Sequence, residues 1–75
     1  MEPIERQFGQ VVRRRRQKLG LSQEGFAAQA GIHQTYISSI ELGKVRVSIG
    51  VAEQLAIALK MPLSRIWQEI ESSRR

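Results

Sequence analysis

The stretch Leu21-Ser-Gln-Glu-Gly-Phe-Ala-Ala-Gln-Ala-Gly31-Ile-His-Gln-Thr-Tyr-Ile-Ser-Ser-Ile-Glu-Leu-Gly-Lys44 divides into two short helical runs with a break between them. Ser22 is a good N-cap, because its side-chain oxygen can accept an otherwise unpaired amide hydrogen of the first turn. A helix over about Gln23–Gln29 follows from it. Gly31 interrupts the chain at a turn that needs positive φ, where glycine has no Cβ penalty. A further helix then runs from about Gln34 to Leu42, and Gly43 closes it. Ala27 supplies the small residue that two helices meeting at a steep angle need where they approach most closely. Ile37 and Ile40 anchor the inner face of the later helix. Its free face carries Gln34, Thr35, Ser38 and Ser39, all short, polar and able to donate or accept hydrogen bonds. A solvated helix face is usually rich in Glu and Lys, yet neither occurs between Ile32 and Ile40. A helix that enters the major groove of DNA requires such a face.

Outward from this stretch the apolar spacing predicts three more helices. Phe8, Val11, Val12 and Leu19 recur near a period of 3.6 and end at Gly20, as helices often end at glycine. Ser48 caps a helix carrying Ala52, Leu55, Ala56 and Leu59. Pro62, with its fixed φ, starts the last one, which places Leu63, Ile66, Trp67 and Ile70 on one side. Ser72 to Arg75 reads as a frayed tail, and Lys44 to Val47 as a basic loop. The fold class is all-α, a compact five-helix arrangement in a single domain over 1–75 with its core in 8–70.

Seventy-five residues bury only about 60% of the unfolded surface, which leaves a thin core and little room for a deep active site. A second copy would help to stabilise so small a domain. Cysteine, Asp and Asn are absent, and His33 is the one histidine. No thiolate or two-histidine metal site, and no usual catalytic triad, can be assembled from that set. No cofactor, metal or enzymatic activity is expected. The net charge of +5 favours a polyanionic partner, either nucleic acid or an anionic membrane surface. No apolar run approaches the ~20 residues that span a bilayer, and Met1 to Phe8 lacks the apolar stretch of a signal peptide. The expected location is the cytoplasm.

The run Leu21–Lys44 resembles the helix-turn-helix of the lambda-repressor-like (Xre) family. Val47 to Trp67, with its LAIALKMPLSRIW, is similar to the fourth and fifth helices of that domain, so the resemblance covers roughly residues 8–70. Within the family, TYISSIE looks most like the small controller proteins of restriction–modification systems. The resemblance implies double-stranded DNA as partner, with Gln34, Thr35, Ser38 and Ser39 facing base edges and Gln23 and Lys44 near phosphates. Two positions depart from the family. Gly25 stands where a helix former such as Glu is usual, which loses a capping box and costs the helix ~1 kcal/mol. His33 stands where Ser, Thr or Asp usually caps the third helix.

Several side chains carry two readings at this stage. Arg13 to Arg16 spread over more than half a helical turn, so they form either a solvated face or a patch in which Arg13 or Arg16 reaches a phosphate. Lys44 and Arg46 flank the recognition helix and are expected at phosphates. His33 is a cap or a phosphate contact, and Tyr36 either packs inward or turns its hydroxyl to DNA. Leu63, Ile66, Trp67 and Ile70 are expected to be part core and part homodimer interface, with Trp67 near its centre. The leading expectation is a transcriptional regulator, dimeric on an inverted repeat, with no small-molecule effector. The competing one is an antitoxin-type protein-interaction module that also binds its own promoter.

Overall fold

A computed structural model describes residues 2–74. Five helices follow one another: α1 (Ile4–Lys18), α2 (Gln23–Ala30), α3 (Gln34–Glu41), α4 (Ile49–Ala58) and α5 (Leu63–Ser73). The chain is all-α among the described residues, as its periodicity predicts. No helix among the described residues is long and apolar enough to cross a membrane.

Local chemistry sets the boundaries. The Ser22 and Ser48 hydroxyls accept the backbone N–H of Gly25 and Val51, so both serines cap as expected. His33 also caps: its Nδ1 accepts the Thr35 N–H at 3.2 Å. The turn between α2 and α3 depends on Gly31 at φ +70, a conformation a Cβ would strain. The first helix begins at Ile4, a turn before the apolar pattern becomes regular. The expected tail is in fact helical. α5 runs through Ser73, whose hydroxyl donates to the Ile70 carbonyl, and the Arg74 guanidinium donates to Gln7 Oε1 at 3.0 Å. Arg75, the last residue of that expected tail, lies outside the described residues, as does Met1.

α1 packs on α3 and α5, α2 on α3 and α4, and α4 on α5. Phe8, Val11, Val12, Phe26, Ile37, Ile40, Leu55, Leu59, Ile66 and Ile70 meet in one core. Burying such side chains contributes about 1.5–3 kcal/mol each relative to exposure, and these contributions hold a domain of this size together. One buried ion pair crosses that core boundary. Arg16 Nε donates to Glu41 Oε2 at 2.7 Å and its terminal nitrogen to Oε1 at 3.0 Å, while its other nitrogen reaches the Leu21 carbonyl. The pair ties α1 to the last residue of α3, and Arg16 also ties α1 to Leu21 late in the α1–α2 turn, which together fix where α3 stands.

Candidate nucleic-acid interface

α3 presents Gln34 and Thr35 fully to solvent and leaves Ser38 and Ser39 half-exposed, while Ile37 and Ile40 are buried beneath them. None of the four polar side chains donates to or accepts from another described residue. Their hydrogen-bonding capacity is free for an external partner. No charged side chain stands on α3 before Glu41, and Glu41 turns inward. The expected polar face, without charged side chains, lies on one side of this helix.

Around it the cations sort differently from the sequence expectation. Arg16 is removed from the phosphate candidates, because its guanidinium is buried against Glu41. Arg15 is committed elsewhere too, donating to the carbonyls of Leu59 and Lys60 at the end of α4. Arg13 and Arg14 stay exposed and follow one another on α1, about 100° apart, so they point to different sides. Lys44 and Arg46 are exposed in the loop after α3.

Gln23 begins α2 half-buried, and its Nε2 donates to Glu41 Oε1 at 3.1 Å. A carboxylate accepts only, so the amide oxygen must face away from it, leaving one N–H and the oxygen for other partners. His33 accepts through Nδ1, so Nε2 is the ring nitrogen left for an external partner. Tyr36 is half-buried and packs against the core, which favours the packing reading of that residue.

The α5 stripe, expected to be part core and part dimer interface, divides between core and surface. Ile66 and Ile70 are 0% exposed within one protomer and have no surface to offer a partner. Leu63 and Trp67 do reach the surface, where they line an apolar groove of about 400 Å³ with Ile4, Phe8 and Ile49. Trp67 is 41% exposed and Ile49 82%, and the Trp67 ring lies 6.2 Å from that of Phe8. The α5 stripe points into the core because α5 is held on both α1 and α4, and only its edge remains free. Sequence reasoning missed Ile4 and Ile49, which sit in first helical turns where no apolar period had yet been established.

The comparisons with known proteins agree with this geometry. A family model described as helix-turn-helix matches residues 12–66. The control protein C.MunI from Mycoplasma sp is 42% identical over 72 residues, spanning 95% of this chain and 97% of that protein. The crystal structure of the restriction–modification controller protein C.AhdI from Aeromonas hydrophila matches with a TM-score of 0.80 at 34% identity, over 83% of this chain and 94% of that one. The clp gene regulator ClgR from C. glutamicum matches at a TM-score of 0.93 over 100% of this chain and 97% of that one. At 20% identity it speaks for the fold alone. The chain therefore belongs to the Xre-like helix-turn-helix family of DNA-binding transcriptional regulators.

Proposed function

We propose that the protein is a controller-type regulator that binds an inverted-repeat operator as a homodimer, with α3 in the major groove of each half-site. The observation that carries this reading is the charge-free face of α3, whose four polar side chains have no partner among the described residues. Gln34 is suited to adenine, since a glutamine amide pairs bidentately with N6 and N7, and the Thr35 methyl is suited to that of thymine. Ser38 and Ser39 add short contacts on the same face. Lys44, Arg46 and Arg13 supply phosphate contacts, joined by the free N–H of Gln23 and by Nε2 of His33; Tyr36 is the weakest of the phosphate candidates. The controller role itself rests on the likeness to C.MunI and C.AhdI. We read the chain as acting by binding without turnover, supported by the engagement of its one histidine as a helix cap.

Selection of bound duplexes from a random pool gives the operator, and titration of variants against it tests the assignment. Gln34→Ala is expected to weaken specific binding by ~1–3 kcal/mol and to leave binding to random duplex nearly unchanged. Equal losses on both duplexes would show that Gln34 does not read bases. Lys44→Ala and Arg46→Ala should instead lower affinity on every sequence and flatten the slope of log K against log salt by about 1 each. A slope unchanged in both variants takes the loop out of the interface.

The dimer reading rests on the apolar groove. A partner that covers Trp67, Leu63, Ile4 and Ile49 removes exposed apolar surface, and a two-fold contact is the commonest way to do so. Two recognition helices ~34 Å apart would then reach both halves of a palindrome. Ile49→Glu places a charge on a side chain that is 82% exposed, so the protomer should fold as before. Sedimentation at micromolar concentration is expected to show a dimer for the wild type and a monomer for Ile49→Glu. A wild-type monomer, or a variant that stays fully dimeric, refutes the groove as the interface.

A further inference from the structure

A third face is used neither by α3 nor by the apolar groove. α1, the turn between α4 and α5, and α5 line an open cavity of about 360 Å³ whose lining includes five cationic side chains and one carboxylate. α1 and α5 run antiparallel, with Gln7 beside Arg74 at one end and Arg14 beside Arg65 at this one. Arg15 is pinned to the Leu59 and Lys60 carbonyls, so the wall it forms is fixed. The side chains of Arg14, Lys18 and Lys60 have no ion-pair or hydrogen-bond partner among the described residues, and Arg65 reaches Glu69 only at 3.8 Å. Much of the chain's +5 is therefore gathered here and left uncompensated. Met61, half-buried, and Pro62, exposed, add apolar surface to the same lining.

We propose that this cavity docks an acidic segment of a partner protein, with carboxylates on Arg14, Lys18, Lys60 and Arg65 and an apolar side chain on Met61 and Pro62. DNA is the other polyanion at hand, and the placement disfavours it. No residue of α2, α3 or the basic loop after α3 lines the cavity, and α3 packs on α1 and α2 instead of α5. The lining also argues for polypeptide. A peptide can place a leucine against Met61 and Pro62 and a backbone N–H on the Glu69 carboxylate, contacts that a phosphodiester ridge cannot make. The face stays open while α3 holds DNA and the groove holds a second copy. The inference rests on that reading of the other two faces, but its test does not.

The test uses the full-length protein, labelled for NMR. The probe is a capped peptide of glutamates flanking a central leucine and phenylalanine, and its controls are an all-glutamate peptide and one with glutamine for glutamate. The expected result is saturable movement of the Lys18 and Lys60–Arg65 amide signals with the first peptide, and at least several-fold weaker effects with either control. Lys18→Glu combined with Lys60→Glu should weaken the peptide by about tenfold, because each reversal turns an attraction into a repulsion. Random-duplex affinity and its salt slope should hold within the small change that net charge alone produces. Signals that move elsewhere, or equal response to the all-glutamate peptide, overturn the proposal. A salt slope flattened by about 2 in the double variant also overturns it, and assigns the face to DNA. Failure of the Gln34→Ala experiment leaves this result unaffected, so the two readings fall separately.

Discussion

Glu41→Ala is expected to lower the unfolding free energy by ~3–5 kcal/mol, because it strands the Arg16 guanidinium in the interior. The Glu41 side chain is 3% exposed and that of Arg16 11%, so the guanidinium is largely shielded from bulk solvent. Glu41 also accepts from Gln23, and the substitution leaves that amide without its partner as well. Domains of this kind have only about 5–15 kcal/mol in total, so the variant should lose a large part of its stability. Urea unfolding followed by circular dichroism reads the effect as a lower midpoint at an unchanged slope. The pair can be separated from mere packing by Arg16→Met combined with Glu41→Leu. Replacing a buried ion pair by apolar residues of similar volume is often neutral or stabilising. The double variant should recover most of what the single one loses, with a non-additive coupling between the two sites. A single variant that loses less than ~1 kcal/mol would mean that water reaches the pair.

The Arg16–Glu41 pair also shows where sequence reading runs out. The caps were legible, since Ser22 and Ser48 precede their helices at the position where a hydroxyl is useful, and the chain behaves accordingly. The free face of α3 was legible too, because the identity of Ile37 and Ile40 fixes which side is left over. Pairing across 25 residues is not local, and nothing adjacent to Arg16 names Glu41 as its partner. A partial signal was present. Glu41 falls four residues after Ile37 and Arg16 four after Val12, so each charge sits on its helix's inward stripe. A charge on such a stripe calls for a partner. The α5 stripe misled in the opposite sense. Spacing alone marks Leu63, Ile66, Trp67 and Ile70 as one face, but how much of that face neighbours cover depends on where α1 and α4 lie. Those positions are tertiary facts, and they leave only Leu63 and Trp67 at the surface.

The position where local preference and packing disagree most is Gly9, and there packing should win. In an exposed helix interior, alanine is favoured over glycine by up to about 1 kcal/mol. Gly9, however, is buried in α1 where that helix crosses the end of α3. A Cβ there would overlap the Ile40 carbonyl oxygen and lie 2.9 Å from that of Glu41. Both obstacles are backbone, so neither can rotate away as a side chain could. The helices would have to part, which disturbs the Ile37 and Ile40 packing and the ion pair alongside it. Overpacking of a core costs typically 1–3 kcal/mol and occasionally more; with rigid obstacles on both counts, Gly9→Ala is expected to destabilise by about 3 kcal/mol. Gly50→Ala makes the contrast. It lies in the exposed first turn of α4, where an added Cβ meets nothing nearer than the Ser48 hydroxyl at 4.0 Å, and propensity should prevail with a gain of up to about 1 kcal/mol. Thermal unfolding of the two variants should thus shift in opposite directions from the same chemical change. Because α3 is displaced, Gly9→Ala should also weaken specific DNA binding at temperatures where it remains folded, while random-duplex binding changes little. Equal stabilisation by both alanines would mean that α1 and α3 do not meet at Gly9, and the placement of the polar α3 face derived from that contact would fall with it.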